Sequence, residues 1–381
     1  MTDKQMGPLD GIRVLDLTTV ISGPSATQIL GDQGADIIKV EAPIGDYARH
    51  VATRRGNFSA SFLNNNRNKR SVVLDLKAKE DHESFLKIAR TADVVISNFR
   101  PGVMERLGVG EDALRAVAPN IIYVEITGFG FDGPYSQKPV YDPLIQAVSA
   151  LTTIQAGSDD EKPKLIRTIL PDKLTGIQAS QAITAALFHR LRTGEGQSIR
   201  LSMLDTVVSF AWGSDMGGHT FIGDELPREE AQSFIDLIYE TADGYVSIAV
   251  MQDKQWQAFC NAMDKTELIS DLRFATAEAR EINKDERLQE IQNVVLNCSS
   301  SDLLSKLEKA GVPCAPVLNR TEMRQHPQVI ANGIIVETEH PDAGQLRQAR
   351  SPAIFSKTPT SIRRGAPRLG EHTEEIMREV S

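Results

Sequence analysis

"GIRVLDLTTVISGPSATQILGDQGADIIKVE", residues 11–41, decides how the rest of the chain is read. Ile12 to Leu17 is an apolar run of strand length, and a glycine-proline turn follows at Gly23-Pro24. A helix after Ser25 and a second strand from Ile37 to Val40 complete a βαβ unit, with Ser25 a fair N-cap and Gly34 a fair stop. Downstream the alternation continues: "SVVLDL" (71–76), a helix near Asp81 to Ala89, "DVVISNF" (93–99), a helix near Glu111 to Val117, and "IIYVEITGF" (121–129). Short β-rich runs separated by helices predict an α/β fold with a mostly parallel sheet and helices on both faces.

From about Thr206 the rhythm changes. "IYETADGYVSIAV" (238–250) reads as a hairpin turning at Asp243-Gly244, and helices are expected near Asp253 to Met263, Asp285 to Leu296 and Ser301 to Ala310. This is the pattern of a smaller α+β domain. After "GVPCAPVL" a strand-like "GIIVETE" (333–339) and a helix from Thr373 are too little for a third core, so the tail is expected to return to the first domain.

A chain of 381 residues exceeds one ordinary core, and a hydrophobic fraction of 41% with 24% charged residues is that of a globular protein. The net charge of -9 repels phosphate backbones, so nucleic acid is not an expected partner and any anionic ligand needs a local basic cluster. Cys260, Cys298 and Cys314 form neither a CxxC pair nor a disulfide framework, which fits a reducing cytoplasm. "MTDKQMGPLDG" lacks a signal peptide's apolar core and no run reaches about 18 consecutive apolar residues, so neither secretion nor a membrane span is expected. The seven histidines show no i, i+4 spacing with another histidine or cysteine, and no structural metal is expected.

The first turn, "TTVISGPSA" (18–26), lacks the glycines of GxGxxG, which leaves Gly23 and Glu41 better explained as structural than as a nicotinamide site. "NNNRNKRSVVLDLK" (64–77) and "NFRPGVMERLG" (98–108) gather Arg67, Lys69, Arg70, Lys77, Arg100 and Arg106, either a phosphate-holding cluster at the sheet ends or a solvated basic turn. In "ILPDKLTGIQAS" (169–180), Asp172 stands at the start of a helix that ends before Gly194. Spacing alone favours a helix cap. The same position suits a nucleophile, because the helix dipole keeps the carboxylate ionised and Gly176 leaves room for a substrate. Asp142 in "VYDPL" (140–144) has the same two readings.

Taken in order, "LDGIRVLDLTTVISGP", "GADIIKVE", "NRNKRSVVLDLK", "ADVVISNFRPG", "ITGFGFDGPY", "PDKLTG", "RTGEGQSIRLSMLD", "GVPCAPV" and "LGEHTEEI" resemble the class III CoA-transferases, the family of formyl-CoA transferase and carnitine CoA-transferase. The resemblance runs from about residue 9 to the C-terminus, and its specificity lies in the ordered combination. It implies a Rossmann-like large domain built from both chain ends (1–203 and 335–381), linkers at 204–226 and 321–334, and a small α+β domain at 227–320. It also implies an interlocked homodimer.

By the same resemblance Asp172 matches the catalytic nucleophile, with Tyr141 and Asp142 orienting beside it. Coenzyme A enters as a thioester substrate, with no permanently bound cofactor; Val20, Ile21, Leu74, Lys77, Asn98 and Arg106 match CoA-binding positions. The implied reaction moves CoA from an acyl-CoA to a free carboxylic acid without ATP or metal. The family's α-methylacyl-CoA racemases carry a histidine where this chain has Tyr141, and a phenol with a reference pKa near ~10 is a poor substitute base. Transferase is therefore expected over racemase or epimerase, and retained Asp172 argues against a non-catalytic acyl-CoA-binding protein. The glycine-rich lid of formyl-CoA transferases has no counterpart just before "YETADGYVSIA", only Gly217-Gly218 further upstream. Ala42 replaces the arginine of oxalate-using members and no aromatic pocket is evident between Gly45 and Phe62, so an oxalate acceptor is not expected.

Overall fold

The computed structural model describes residues 7–51, 53–225 and 237–381. Contacts divide the chain into two units, Met1–Arg228 with Asn332–Ser381, and Glu229–Ala331, each described here over those residues only. The opening hexapeptide, the expected boundary at 226–227 and much of the stretch compared with the glycine-rich lid lie outside the described residues.

In the first unit, β1 (Arg13–Asp16), β2 (Asp36–Glu41), β3 (Lys69–Val73), β4 (Val94–Ser97), β5 (Ile122–Thr127) and β6 (Ser198–Ser202) form one sheet in the order β3-β2-β1-β4-β5-β6. Every pairing is parallel. Apolar residues cover both faces. Leu15, Ile38 and Val95 face Phe85, Ile88 and Leu114 on one side, while Val14, Ile37 and Val94 face Ala26, Leu30 and Ile183 on the other. The strand order reverses between β1 and β4, so the carboxyl ends of these two strands open a crevice. The residues that follow them are Leu17 to Ile21 and Asn98.

Three local expectations need correction. The first helix, α1, spans Ser22–Asp32 and starts before Ser25, because Pro24 is tolerated in a first turn where its missing N–H has no partner anyway. Ser25 does not cap it; its hydroxyl donates to the Ser22 carbonyl at 2.9 Å. Strand β3 begins at Lys69, and the basic run is neither a solvated turn nor a phosphate cradle at its core. Arg67 pairs with Asp32 at 2.6 Å, Lys69 with Asp16 at 2.9 Å, and Arg70 with Asp36 at 2.6 Å, all three cations buried.

Two helices carry the site. The first, α2 (Asp142–Val148), has Pro143 in its opening turn; the second, α3 (Leu170–Thr193), is closed by Gly194 at φ 79°. Gly176 on α3 does not make room for a substrate. A Cβ there would lie 2.0 Å from Ser25 Oγ and 2.7 Å from the Ser22 carbonyl oxygen, so the missing side chain lets α1 and α3 touch. Gly176→Ala is expected to destabilise the protein by about 1–3 kcal/mol through overpacking against backbone that cannot yield. An unchanged urea midpoint would contradict this close approach.

The second unit is α+β. Its antiparallel sheet joins Ile238–Glu240, Tyr245–Ile248 and Cys314–Pro316, and helices Asp253–Ala262, Lys284–Val295 and Ser300–Lys309 enclose Trp256, Phe259 and Leu307. The C-terminal residues belong to the first unit, where Arg363 donates to the carbonyls of Gly31 at 2.7 Å and Gly34 at 3.1 Å. Among the described residues no helix is long and apolar enough to cross a membrane.

Candidate active site

The turn after β1 is held in an unusual conformation by groups that the sheet brings to the crevice. Val20, a β-branched residue, has φ 70°, a left-handed value that costs about 1–3 kcal/mol and persists only where its surroundings enforce it. Asn98, just past β4, does so from one side. Its Oδ1 accepts from the Thr19 N–H at 2.9 Å, and its Nδ2 donates to the Thr19 carbonyl at 2.8 Å. From the other side Asp46 Oδ1 accepts the Val20 N–H at 3.1 Å, while buried Lys39 donates to the Thr18 carbonyl at 2.8 Å. Glu41, the acid a nicotinamide reading would need, is buried with both oxygens held by Arg49 at 2.8 and 2.7 Å.

Asp172 faces this turn. It lies in the first turn of α3 rather than at its cap, a position taken by Ile169 without any side-chain hydrogen bond. Asp172 is therefore not the cap residue of α3, and its carboxyl is turned instead to Ser22 of α1. Asp142, likewise inside the first turn of α2, accepts the Asp172 backbone N–H at 3.3 Å through Oδ2 and the Gln146 amide at 2.7 Å through Oδ1. Burial and then the Asp142 charge push the Asp172 carboxyl up to about 6, against the hydroxyl and N–H of Ser22, which favour its ionised form. Burial also raises Asp142. At pH 7 about nine-tenths of a group titrating near 6 is still ionised, and a carboxylate of raised basicity is a better nucleophile than an ordinary aspartate.

Asp172 stands where two cavities meet. The larger, about 1080 Å³, is lined by Val20, Ile21, Tyr141, Asp142, Arg167 and Asp172 among others. The smaller, about 140 Å³, is lined by Ser22, Asn98, Arg100, Lys138, Tyr141 and Asp172 among others. Of the expected positions, Asp172, Tyr141, Asp142, Val20, Ile21 and Asn98 are thus brought together. Leu74, Lys77 and Arg106 line neither cavity: Leu74 is buried in the sheet's apolar core, and Lys77 and Arg106 are exposed.

Ser22, Lys138 and Gln146 are site residues that sequence reasoning missed. Only Gln146 left a signal, four residues after Asp142 and so on the same helix face. Ser22 connects Asn98, whose Nδ2 approaches Ser22 Oγ at 3.4 Å, to the Asp172 carboxyl. Ser22→Ala is expected to lower kcat/KM for CoA transfer by about tenfold. It should also move the acid limb of the pH–rate profile upward, because a donor to the ionised carboxylate is lost. A fall in rate with an unmoved limb would make Ser22 merely structural.

The description "CoA-transferase family III" belongs to the family model that matches residues 9–373, nearly the whole chain. The chain belongs to CoA-transferase family III. This transferase is 37% identical over 394 residues to the succinate–glutarate CoA-transferase of Agrobacterium fabrum, covering 100% of this chain and 98% of that one. It is 33% identical to human succinyl-CoA:glutarate CoA-transferase, over 98% of this chain and 86% of that one. Among solved structures, a CAIB/BAIF family protein from Brucella suis superposes with a TM-score of 0.86 at 31% identity, over 99% of this chain and 100% of that one.

Proposed function

We propose that this transferase moves CoA from an acyl-CoA to a free carboxylic acid through two covalent intermediates on Asp172. The carboxylate attacks the thioester carbonyl and expels CoA thiolate, leaving an aspartyl mixed anhydride. The thiolate then attacks the aspartyl carbonyl and releases the donor acid, leaving an aspartyl-CoA thioester. An acceptor carboxylate attacks that thioester, re-forming an anhydride and thiolate. Attack of the thiolate on the acceptor's carbonyl completes the new thioester and regenerates Asp172. No proton is consumed, and each step exchanges one activated acyl bond for another.

The observation that carries this reading is the elevated Asp172 carboxyl, held by Ser22 and without a cationic partner among the described residues, at the junction of two cavities. Two reactants that must meet the same carboxylate in turn need such a junction. Negative charge on the tetrahedral intermediates would be met by the Ser22 N–H at the start of α1, a helix end that favours anions. We place the CoA chain against Val20, Ile21 and Asn98, with Lys138 and Arg100 available to its polar groups, and Leu74, Lys77 and Arg106 along its outer course. The names of the relatives, which specify succinate and glutarate, support a small dicarboxylic acid as acceptor. The family resemblance supports an interlocked homodimer as the working assembly.

The test is mass spectrometry of CoA thioesters formed in D2O from several acyl-CoA donors, succinyl-CoA and a chiral 2-methylacyl-CoA among them, and a pool of organic acids. A new acyl-CoA is expected. Deuterium at the α carbon without a new thioester would make the enzyme a racemase and overturn the proposal.

A further inference from the structure

Resting on the transferase reading, we infer that Arg167 and Lys164 hold the distal carboxylate of a dicarboxylic acid whose other carboxylate reacts at Asp172. Both residues line the larger cavity with Asp142 and Asp172. Both are exposed, and among the described residues neither side chain has a hydrogen-bond or ion-pair partner. The cations of the basic run after α1, by contrast, are taken up by Asp32, Asp16 and Asp36. Arg167 and Lys164 are thus available charge in an otherwise acidic protein.

Arg167 is also held in place. Gln146 Oε1 accepts the Ile166 N–H at 3.0 Å, and Gln146 Nε2 donates to the Thr168 carbonyl at 3.3 Å, clamping the residues on either side. The same amide nitrogen donates to Asp142 at 2.7 Å, so one glutamine ties the guanidinium's backbone to the carboxyl pair. Lys164 is anchored through its N–H to the Thr152 carbonyl at 2.9 Å.

Charge decides the ligand class. An acceptor entering this cavity approaches the Asp142 carboxyl, Asp172 being by then an uncharged thioester, and a monocarboxylate has nothing with which to offset that repulsion away from the reacting end. A second carboxylate on Arg167 supplies that offset, since guanidinium and carboxylate match in a two-pronged geometry. The phosphates of CoA do not require this pair, because the smaller cavity has Arg100 and Lys138.

The experiment compares glutarate with valerate, acids of equal chain length that differ by the distal carboxylate, using succinyl-CoA at one fixed concentration as donor. The ratio of kcat/KM values is the readout, in wild type, Arg167→Gln, Arg167→Lys and the double variant Arg167→Gln/Lys164→Gln. Wild type should prefer glutarate, and the double variant should cut that preference by about tenfold to a hundredfold. Arg167→Lys should retain part of it. A preference unchanged in the double variant overturns the inference, and a rate loss shared equally by both acids would assign the cations to CoA instead. Wild type using valerate as well as glutarate would overturn the inference and leave the transferase reading standing; no new thioester from any acid would overturn both.

Discussion

Asp172→Asn is expected to lower CoA transfer by at least about 10⁴-fold, because an amide cannot form the anhydride on which every later step depends. The measurement is the initial rate of new thioester formation, with the mass of the variant checked to exclude reversion to aspartate. Turnover within tenfold of wild type would remove Asp172 from the mechanism. In the wild type, kcat/KM should rise with pH through an apparent pKa of about 6, since the ionised carboxylate is the nucleophile. The stability of the same group runs the other way. Its folded pKa lies above the unfolded value, so the folded state binds the extra proton between about pH 4 and pH 6. Wild type is therefore stabilised as pH falls through that window and destabilised as pH rises through about 6. Asp172→Asn escapes this penalty, and above pH 7 it should be more stable than wild type by on the order of 2 kcal/mol. The difference should vanish near pH 4. An inactive variant that is more stable than its parent at neutral pH is the signature of a carboxylate kept for chemistry.

The second large effect lies beneath the crevice. Asp16→Ala is expected to destabilise the protein by about 3–5 kcal/mol, because it leaves a fully buried Lys69 without its counter-charge. Burial opposes ionisation of Asp16, but the charges of Lys69 and Lys39 and hydrogen bonds from Thr18 and Thr27 hold its carboxyl well below the usual carboxylate range. That contribution is fully present above the unfolded pKa near ~3.9 and is lost as pH falls further. Asp16 also fixes the turn above it, accepting the Thr18 N–H at 2.9 Å and the Thr27 hydroxyl at 2.7 Å. Its loss should therefore raise KM for the CoA thioester as well as lower the urea midpoint. A stable variant with unchanged KM would show that the strained Val20 turn does not depend on this ion pair.

Much of the sheet was legible because β1, β2, β4 and β5 are short, largely apolar runs between helical stretches. The misplaced start of β3 shows the limit. Lys69 and Arg70 read as turn residues, and only the distant Asp16 and Asp36, brought alongside by parallel pairing, make a buried charged strand possible. The same limit governs the site. Asp172, Tyr141 and Asp142 were reached through family resemblance, since spacing alone favoured for the two aspartates capping roles that Ile169 and Tyr141 take instead. Ser22 could not be found from its neighbours: it meets Asp172 because α1 packs on α3 at Gly176, a contact between segments far apart in the chain. What sets Arg167 apart from other arginines without a side-chain partner among the described residues is the cavity it reaches.

The most direct test of covalent transfer through Asp172 is to mix the enzyme with succinyl-CoA, quench in acid within one turnover, digest, and map the peptide spanning residues 169–180 by mass spectrometry. The account predicts that this peptide carries CoA as a thioester on Asp172, and that added glutarate discharges it. An unmodified peptide at every quench time, while thioester exchange proceeds at full rate, would contradict it.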